Sequence, residues 1–203
     1  MNKQALIKKY AKKFVCTGKY APNALKGVYY AADGSVVMTN RHYLLRIKGA
    51  HQLQTPVILD PKDGQPIEGT YPEIKHVLDA TYKDVVRLTM KSVTAAKAAA
   101  AVAGGIEGAM GNAVSVSIEN GVAKLRVHDN LINFEALFGN ADRADVAERI
   151  LLNAQYLYTA LSLFADAGVG QVQLQYKGAE DQIQLTDESE EITVIILPIR
   201  RWG

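Results

Sequence analysis

The chain has 203 residues, enough for one large domain or two small ones, and 48% of them are hydrophobic, which is ample for a buried core. A charged fraction of 22% and a formal net charge of +2 exclude a disordered tail and a strongly basic packing protein. The longest apolar region, Val93–Ile106, is rich in alanine and glycine, carries Lys97, and falls short of a membrane span. The first residues, MNKQALIKKYAKK, contain charges but no apolar core of a signal peptide, so none is expected. The single cysteine, Cys16, cannot form an internal disulfide and points to a reducing, cytoplasmic setting. With no His/Asn arrangement beside it, Cys16 reads as a small buried or half-buried residue rather than a nucleophile. The charge is unevenly spread: residues 1–79 hold 12 Lys and Arg against 6 Asp and Glu, whereas residues 80–203 hold 11 against 15. The basic N-terminal part suits contact with phosphates.

In chain order, Lys3–Val15 reads as an amphipathic helix: Leu6, Ile7, Tyr10 and Phe14 form a stripe and Lys8, Lys9, Lys12 and Lys13 lie off it. After the punctuation of Gly18–Asn23 come three strand-like runs, Gly27–Ala32, Ser35–Asn40 and His42–Gly49, with Asp33-Gly34 turning between the first two. A stretch containing Pro56, Pro61, Pro66 and Pro72 reads as an edge strand and connector rather than a packed element, because proline cannot donate to a ladder. The second part begins with a strand at Val85–Met90 and a helix over Ser92–Ala103 that ends at Gly104-Gly105. Strands at Ala113–Ile118, Val122–Val127 and Leu131–Leu137 follow, with Asn120-Gly121 a strong turn signal. A strand at Arg149–Leu152 leads to a helix capped by Asn153, with Leu157, Ala160, Leu161 and Phe164 as its stripe and Gly168 as its stop. Strands at Val169–Tyr176, Gln182–Thr186 and Glu191–Pro198 close the chain.

The order β-α-β-β-β thus occurs twice after residue 84, and once before residue 55 without a clear leading strand. Such a repeat predicts an α+β fold with helices on one face of curved antiparallel sheets.

Several features have an ordinary explanation. His42, His51, His76 and His128 lack metal-ligand spacing. Asp187, Glu188, Glu190 and Glu191 read as a solvated hairpin tip rather than an acid/base centre. Gly104–Gly111 lacks the Lys-Ser/Thr ending of a phosphate-binding loop. Tyr156, Tyr158 and Trp202 could stack on bases, but the two tyrosines read as flanks of a helix and Trp202 as a residue docked past the last strand. No constellation supports an enzyme, and no cofactor is implied.

Four segments resemble the bacterial DNA polymerase III beta subunit, the sliding clamp. Val194–Arg201 (VIILPIRR) resembles the family's closing strand, and Glu68–Leu78 (EGTYPEIKHVL) its interdomain segment. Asn23–Ile47 resembles the middle-domain strands leading to an Ala-Thr-Asp-Gly-His-Arg-Leu motif, and Ile150–Phe164 the last helix. The resemblance implies a half clamp domain plus connector over residues 1–80 and a complete C-terminal clamp domain over 81–203, with no counterpart of the family's first domain. It implies a non-enzymatic processivity factor that encircles or grips double-stranded DNA without sequence specificity and binds a polymerase, and a clamp loader, through short peptides. The implied peptide cleft comprises Leu25, Thr39, His42, Leu44, Pro72, His76, Val77, Ile195, Leu197, Pro198, Ile199 and Arg200. Two positions depart from the motif, Arg41 replacing its glycine and Tyr43 its arginine. The implied DNA contacts are Lys8, Lys9, Lys12 and Lys13, with Arg41, Lys91 and Lys97 secondary; their ordinary alternative is a solvated helix face. Ring closure implies a homo-oligomer, and three units per chain make the family's twelve in a tetramer. A rival expectation is an interaction adaptor that binds clamp-motif peptides without encircling DNA.

Overall fold

The computed structural model describes residues 2–106, 112–128, 132–142 and 146–200; Leu131, Trp202 and the end of the Gly104–Gly111 segment lie outside the described residues. The chain divides into two compact units, one formed by Met1–Thr81 with Ser189–Ile195 and the other by Tyr82–Glu188 with Ile196–Gly203.

The first unit opens with α1 (Lys3–Phe14), whose free N-terminal amides are met by Asn2, its side chain accepting from the Ala5 amide at 3.1 Å. The expected stripe of Leu6, Ile7, Tyr10 and Phe14 faces inward and is buried, together with Ala11. A short 3-10 turn at Asn23–Lys26 leads into β1 (Val28–Tyr30), β2 (Val36–Thr39), β3 (Tyr43–Ile47) and β4 (Val57–Leu59). The last strand of the chain, β12 (Ile192–Ile196), lies beside β3, so the sheet order in this unit is β4-β1-β2-β3-β12. Pairing sets the two faces. Val36 opposes Ile47 and Met38 opposes Leu45 on the face covered by α1, and all four are fully buried. Phe14 stacks on Tyr43 with centroids 4.3 Å apart. Tyr29 opposes Val37 and Thr39 opposes Leu44 on the other face. Lys3 ties the start of α1 to the end of the chain, donating to the Lys48 carbonyl at 2.8 Å and pairing with Glu191 at 3.2 Å.

The proline-rich segment corrects one expectation. It does hold an edge strand, β4, but the connector after it is packed: Ile67, Tyr71, Ile74, Val77 and Leu78 fold onto the face opposite α1. A single helical turn, α2 (Lys75–Leu78), closes that segment. The prolines stop ladder pairing without preventing their apolar neighbours from covering a sheet.

The second unit contains β5 (Asp84–Thr89), α3 (Met90–Gly104), β6 (Ala113–Glu119), β7 (Val122–His128), β8 (Asn133–Ala141), β9 (Val146–Asn153), α4 (Ala154–Asp166), β10 (Gln171–Tyr176) and β11 (Ile183–Asp187). Its antiparallel order is β11-β10-β5-β8-β7-β6-β9. Asn120 and Gly121 both take positive φ, 52° and 74°, as a two-residue β6–β7 turn requires. Asn153 caps α4, accepting from the Tyr156 amide at 3.1 Å. The two helices pack against each other, and α3 reaches close because it presents Ala95, Ala96, Ala99 and Ala103 inward. The repeat β-α-β-β-β is present as β5-α3-β6-β7-β8 and β9-α4-β10-β11-β12, although most of its final strand completes the first unit. The acidic hairpin is less solvated than expected. Glu188 and Glu190 are exposed, but Asp187 ends β11 and is buried.

Candidate peptide-binding face and basic helix

The face of the first unit opposite α1 carries an apolar cluster built from sequence-distant parts: Leu25 from the 3-10 turn, Val37 from β2, Leu44 from β3, Ile58 from β4, Tyr71 from the connector and Ile195 from β12. Cys16, Tyr29, Ile74 and Val77 are partly buried against it. Of the residues the resemblance assigns to a cleft, Leu25, Leu44 and Ile195 are therefore in one buried cluster, with Val77 packed on it. Thr39 is buried at its edge, its hydroxyl donating to the Tyr43 carbonyl at 2.7 Å and accepting from the Arg41 amide at 3.0 Å. His42, Pro72 and His76 are exposed. Leu197, Pro198, Ile199 and Arg200 belong to the second unit; Leu197 and Arg200 are exposed there, and the Ile199 amide donates to Leu151 at 2.7 Å.

The turn at Asn40–His42 is tightly held. Asn40 accepts from the amides of His42 and Tyr43, at 3.0 and 3.1 Å. These bonds fix Arg41 at a φ of 79°, a left-handed conformation that L side chains disfavour, and leave its side chain exposed. The glycine of the family motif would adopt it without strain.

Beside the cluster runs a groove of about 330 Å³ with Tyr29, Val37, Ile74 and Leu78 as its apolar lining, and with Asp33 and Arg46 on its rim. Asp33 and Arg46 are paired at 2.7 Å. Burial alone would raise the Asp33 carboxyl, but hydrogen bonds from Ser35 and the Arg46 guanidinium outweigh it and hold the group below the usual carboxylate range. Tyr71, which sequence reading did not single out, stacks on Tyr29 with centroids 4.7 Å apart and planes 8° apart. It is 9% exposed. Burial, and then the nearby Cys16 thiol, push its pKa well up, while a hydrogen bond with the Thr39 backbone acts in the other direction. The only sequence signal for Tyr71 is an aromatic residue placed just before Pro72.

The candidate phosphate contacts are distributed over both units. Lys8, Lys9, Lys12 and Lys13 are exposed on α1, and no ion pair among the described residues engages Lys8, Lys12 or Lys13. Lys91 and Lys97 are exposed on α3. Helix α4, Ala154–Asp166, has no basic residue. Among the described residues no group of His, Cys, Asp or Glu is arranged to hold a metal ion, and no helix is long and apolar enough to cross a membrane.

No family model and no curated protein sequence matches this chain. Solved structures do. The DNA polymerase III subunit beta of Pseudomonas aeruginosa superposes with a TM-score of 0.79 at 14% identity, covering 98% of this chain and 65% of its own. The beta chain of Streptococcus pneumoniae gives 0.79 at 15%, covering 99% and 64%. The sliding clamp of Bacillus subtilis gives 0.79 at 15%, covering 100% and 64%. This chain thus spans about 65% of the length of the structures it matches. Its fold is that of the bacterial sliding clamp.

Proposed function

We propose that this chain is a non-enzymatic, clamp-like processivity factor that grips duplex DNA without reading sequence and holds partner peptides on the apolar face of its first unit. What supports this reading is the clamp fold across essentially the whole chain, joined to a lysine-bearing helix and an apolar cluster on opposite faces of one sheet. Exposed lysines attract phosphates without distinguishing bases, which lets a protein slide. An apolar face with few polar groups suits a short peptide anchored by one or two large side chains. Tethering a polymerase this way raises its effective concentration at the primer end. The complete functional particle is a homo-oligomer, a tetramer in the simplest count, and light scattering at micromolar concentration tests it; a strict monomer removes the ring.

The deciding experiment compares retention on nicked circular DNA with retention on the same DNA linearised, in the presence of a clamp loader and polymerase. Retention on circles with loss from free ends is the expected result. No retention on either, with peptide binding intact, turns the reading into that of an adaptor. Replacing Lys8, Lys9, Lys12 and Lys13 together by alanine should lower the slope of log affinity against log salt by about 3 to 4, at roughly 0.9 per phosphate contact. Peptide affinity should not change; if it falls instead, the assignment of roles to the two faces is wrong.

A further inference from the structure

The groove of about 330 Å³ beside the apolar cluster combines an apolar lining with an acidic border. Val37 is its buried floor, and Tyr29, Ile74 and Leu78 are half-buried, with part of their apolar surface open to solvent. Three carboxylates border it, Asp33, Glu73 and Asp79, out of only 6 Asp and Glu in residues 1–79. Of the 12 Lys and Arg in the same residues only Arg46 and Lys75 do so. The groove thus has a local excess of negative charge within the basic part of the chain. Its two cations are already taken, Arg46 by Asp33 at 2.7 Å and Lys75 by Asp79 along α2. Glu73 remains. Its carboxylate accepts from the Lys75 amide at 2.7 Å, and no ion pair among the described residues engages it. Lys75 is held first by Asp79, with Glu73 the weakest charge acting on it. An apolar channel bordered by a carboxylate without an ion-pair partner suits a side chain with a methylene stem and a cationic head.

We infer that this groove takes an arginine or lysine of the bound peptide, its methylenes lying on Tyr29, Val37, Ile74 and Leu78 and its cation meeting Glu73. This rests on the reading of the adjoining face as a peptide site. The two are continuous, because Tyr29, Val37 and Ile74 belong to both the cluster and the groove. A basic residue next to the apolar anchor of the peptide is therefore within reach. The cluster supplies affinity for any peptide with a suitable anchor, and the groove selects among such peptides by charge, favouring a cation and opposing a carboxylate.

The test uses the full chain and a panel of fluorescein-labelled pentapeptides carrying Leu or Phe anchors, read by fluorescence anisotropy. The residue beside the anchor is arginine, lysine, glutamine, glutamate or diaminopropionate, the last a cation without the long stem. The parent should bind the arginine and lysine peptides about five-fold more tightly than the glutamine peptide, and the glutamate peptide more weakly still. Diaminopropionate should bind like glutamine. Glu73→Gln keeps an oxygen for the Lys75 amide and should erase the preference without changing affinity for the glutamine peptide, the coupling of a double-mutant cycle. Glu68→Gln removes the same charge from an exposed position outside the groove and should leave the preference intact. Equal affinity for the arginine and glutamine peptides overturns the inference while leaving the peptide site in place. So does a preference that survives Glu73→Gln, that falls equally in Glu68→Gln, or that diaminopropionate satisfies as well as arginine. If the parent chain binds no peptide of the panel, the peptide site itself fails, and the inference with it.

Discussion

The two units solve the same problem, covering one face of an antiparallel sheet with helix, in opposite ways. In the second unit α3 and α4 pack against each other, and α3 does so with a row of buried alanines. In the first unit α1 covers β2 and β3 alone. Where a companion helix would demand an apolar flank, α1 carries Lys8, Lys9, Lys12 and Lys13, all exposed. The amphipathic stripe of α1 is therefore narrow and its remaining surface is built for water or phosphate. A lone basic helix is a finished element, not half of an unmade pair. Two chains that paired these helices would bring lysine faces together, which opposes such a pairing.

The sharpest way to break this contrast is to enlarge a side chain on each helix. Ala99 is 1% exposed where α3 packs. Ala99→Leu should overfill that space and lower the unfolding free energy by about 2 kcal/mol, measured by urea denaturation. Lys12→Leu on α1 should stay within about 0.5 kcal/mol of the parent, because that side chain is exposed. Equal losses from the two substitutions would mean that α1 does have a partner on its lysine face.

A second, smaller test concerns strain, which the first unit stores at Arg41. Its φ of 79° is held by a hydrogen bond from its own amide to Thr39 and by bonds from the His42 and Tyr43 amides to Asn40. Arg41→Gly should raise the unfolding free energy by about 0.5 to 1 kcal/mol, the relief of left-handed strain exceeding the entropy glycine adds to the unfolded chain. The second unit has left-handed residues at Asn112 and Asn120, with φ 68° and 52°, but asparagine tolerates that region and Asn120→Gly should change stability by only a few tenths of a kcal/mol. A loss of stability in Arg41→Gly would show that the arginine makes a contact worth more than its strain.

Much of this architecture is legible in local sequence. The spacing of Leu6, Ile7, Tyr10 and Phe14 defines α1, Asn153 marks the start of α4, and Asn120-Gly121 marks a hairpin, because each signal acts within one turn of chain. The partner of β12 is not legible, since pairing across more than a hundred residues depends on the whole sheet. Burial of the connector is hidden by its prolines, which announce the loss of ladder bonds and nothing about where Ile67, Tyr71 and Ile74 go. The candidate site is harder still. Leu25, Leu44 and Ile195 carry no shared periodicity, and only resemblance to a family brings them to mind as one group. The stacking of Tyr71 on Tyr29 is a property of three dimensions alone.

The smallest effect separates the ways the two units use charge. The first unit relies on single tethers such as Lys3 to Glu191 at 3.2 Å. The second carries a ladder across β6, β7 and β8, in which Arg126 and Lys124 each bridge Glu119 and Glu135 at 2.5 to 3.2 Å. Hydrogen bonds from Arg126, and then from Lys124, hold the Glu119 carboxyl down to about 2 against an ordinary 4.5, and Glu135 is lowered by the same two groups. Folding therefore favours the ionised carboxylates. Their contribution is present above the ordinary carboxylate pKa and disappears as pH falls through the folded-state value, between about 5 and 2. The carboxylates of the ladder reach solvent while Lys124 and Arg126 are half-buried, so salt should shrink the effect in part. Over that interval the urea midpoint of the parent should fall more steeply than that of Glu119→Gln, and the difference should narrow in 1 M salt. Glu191→Gln, which cuts one tether of the first unit, should leave a pH slope closer to the parent's than Glu119→Gln does, because the network in the second unit remains whole. Parallel pH profiles for parent and Glu119→Gln would mean the ladder orders its side chains without stabilising the fold.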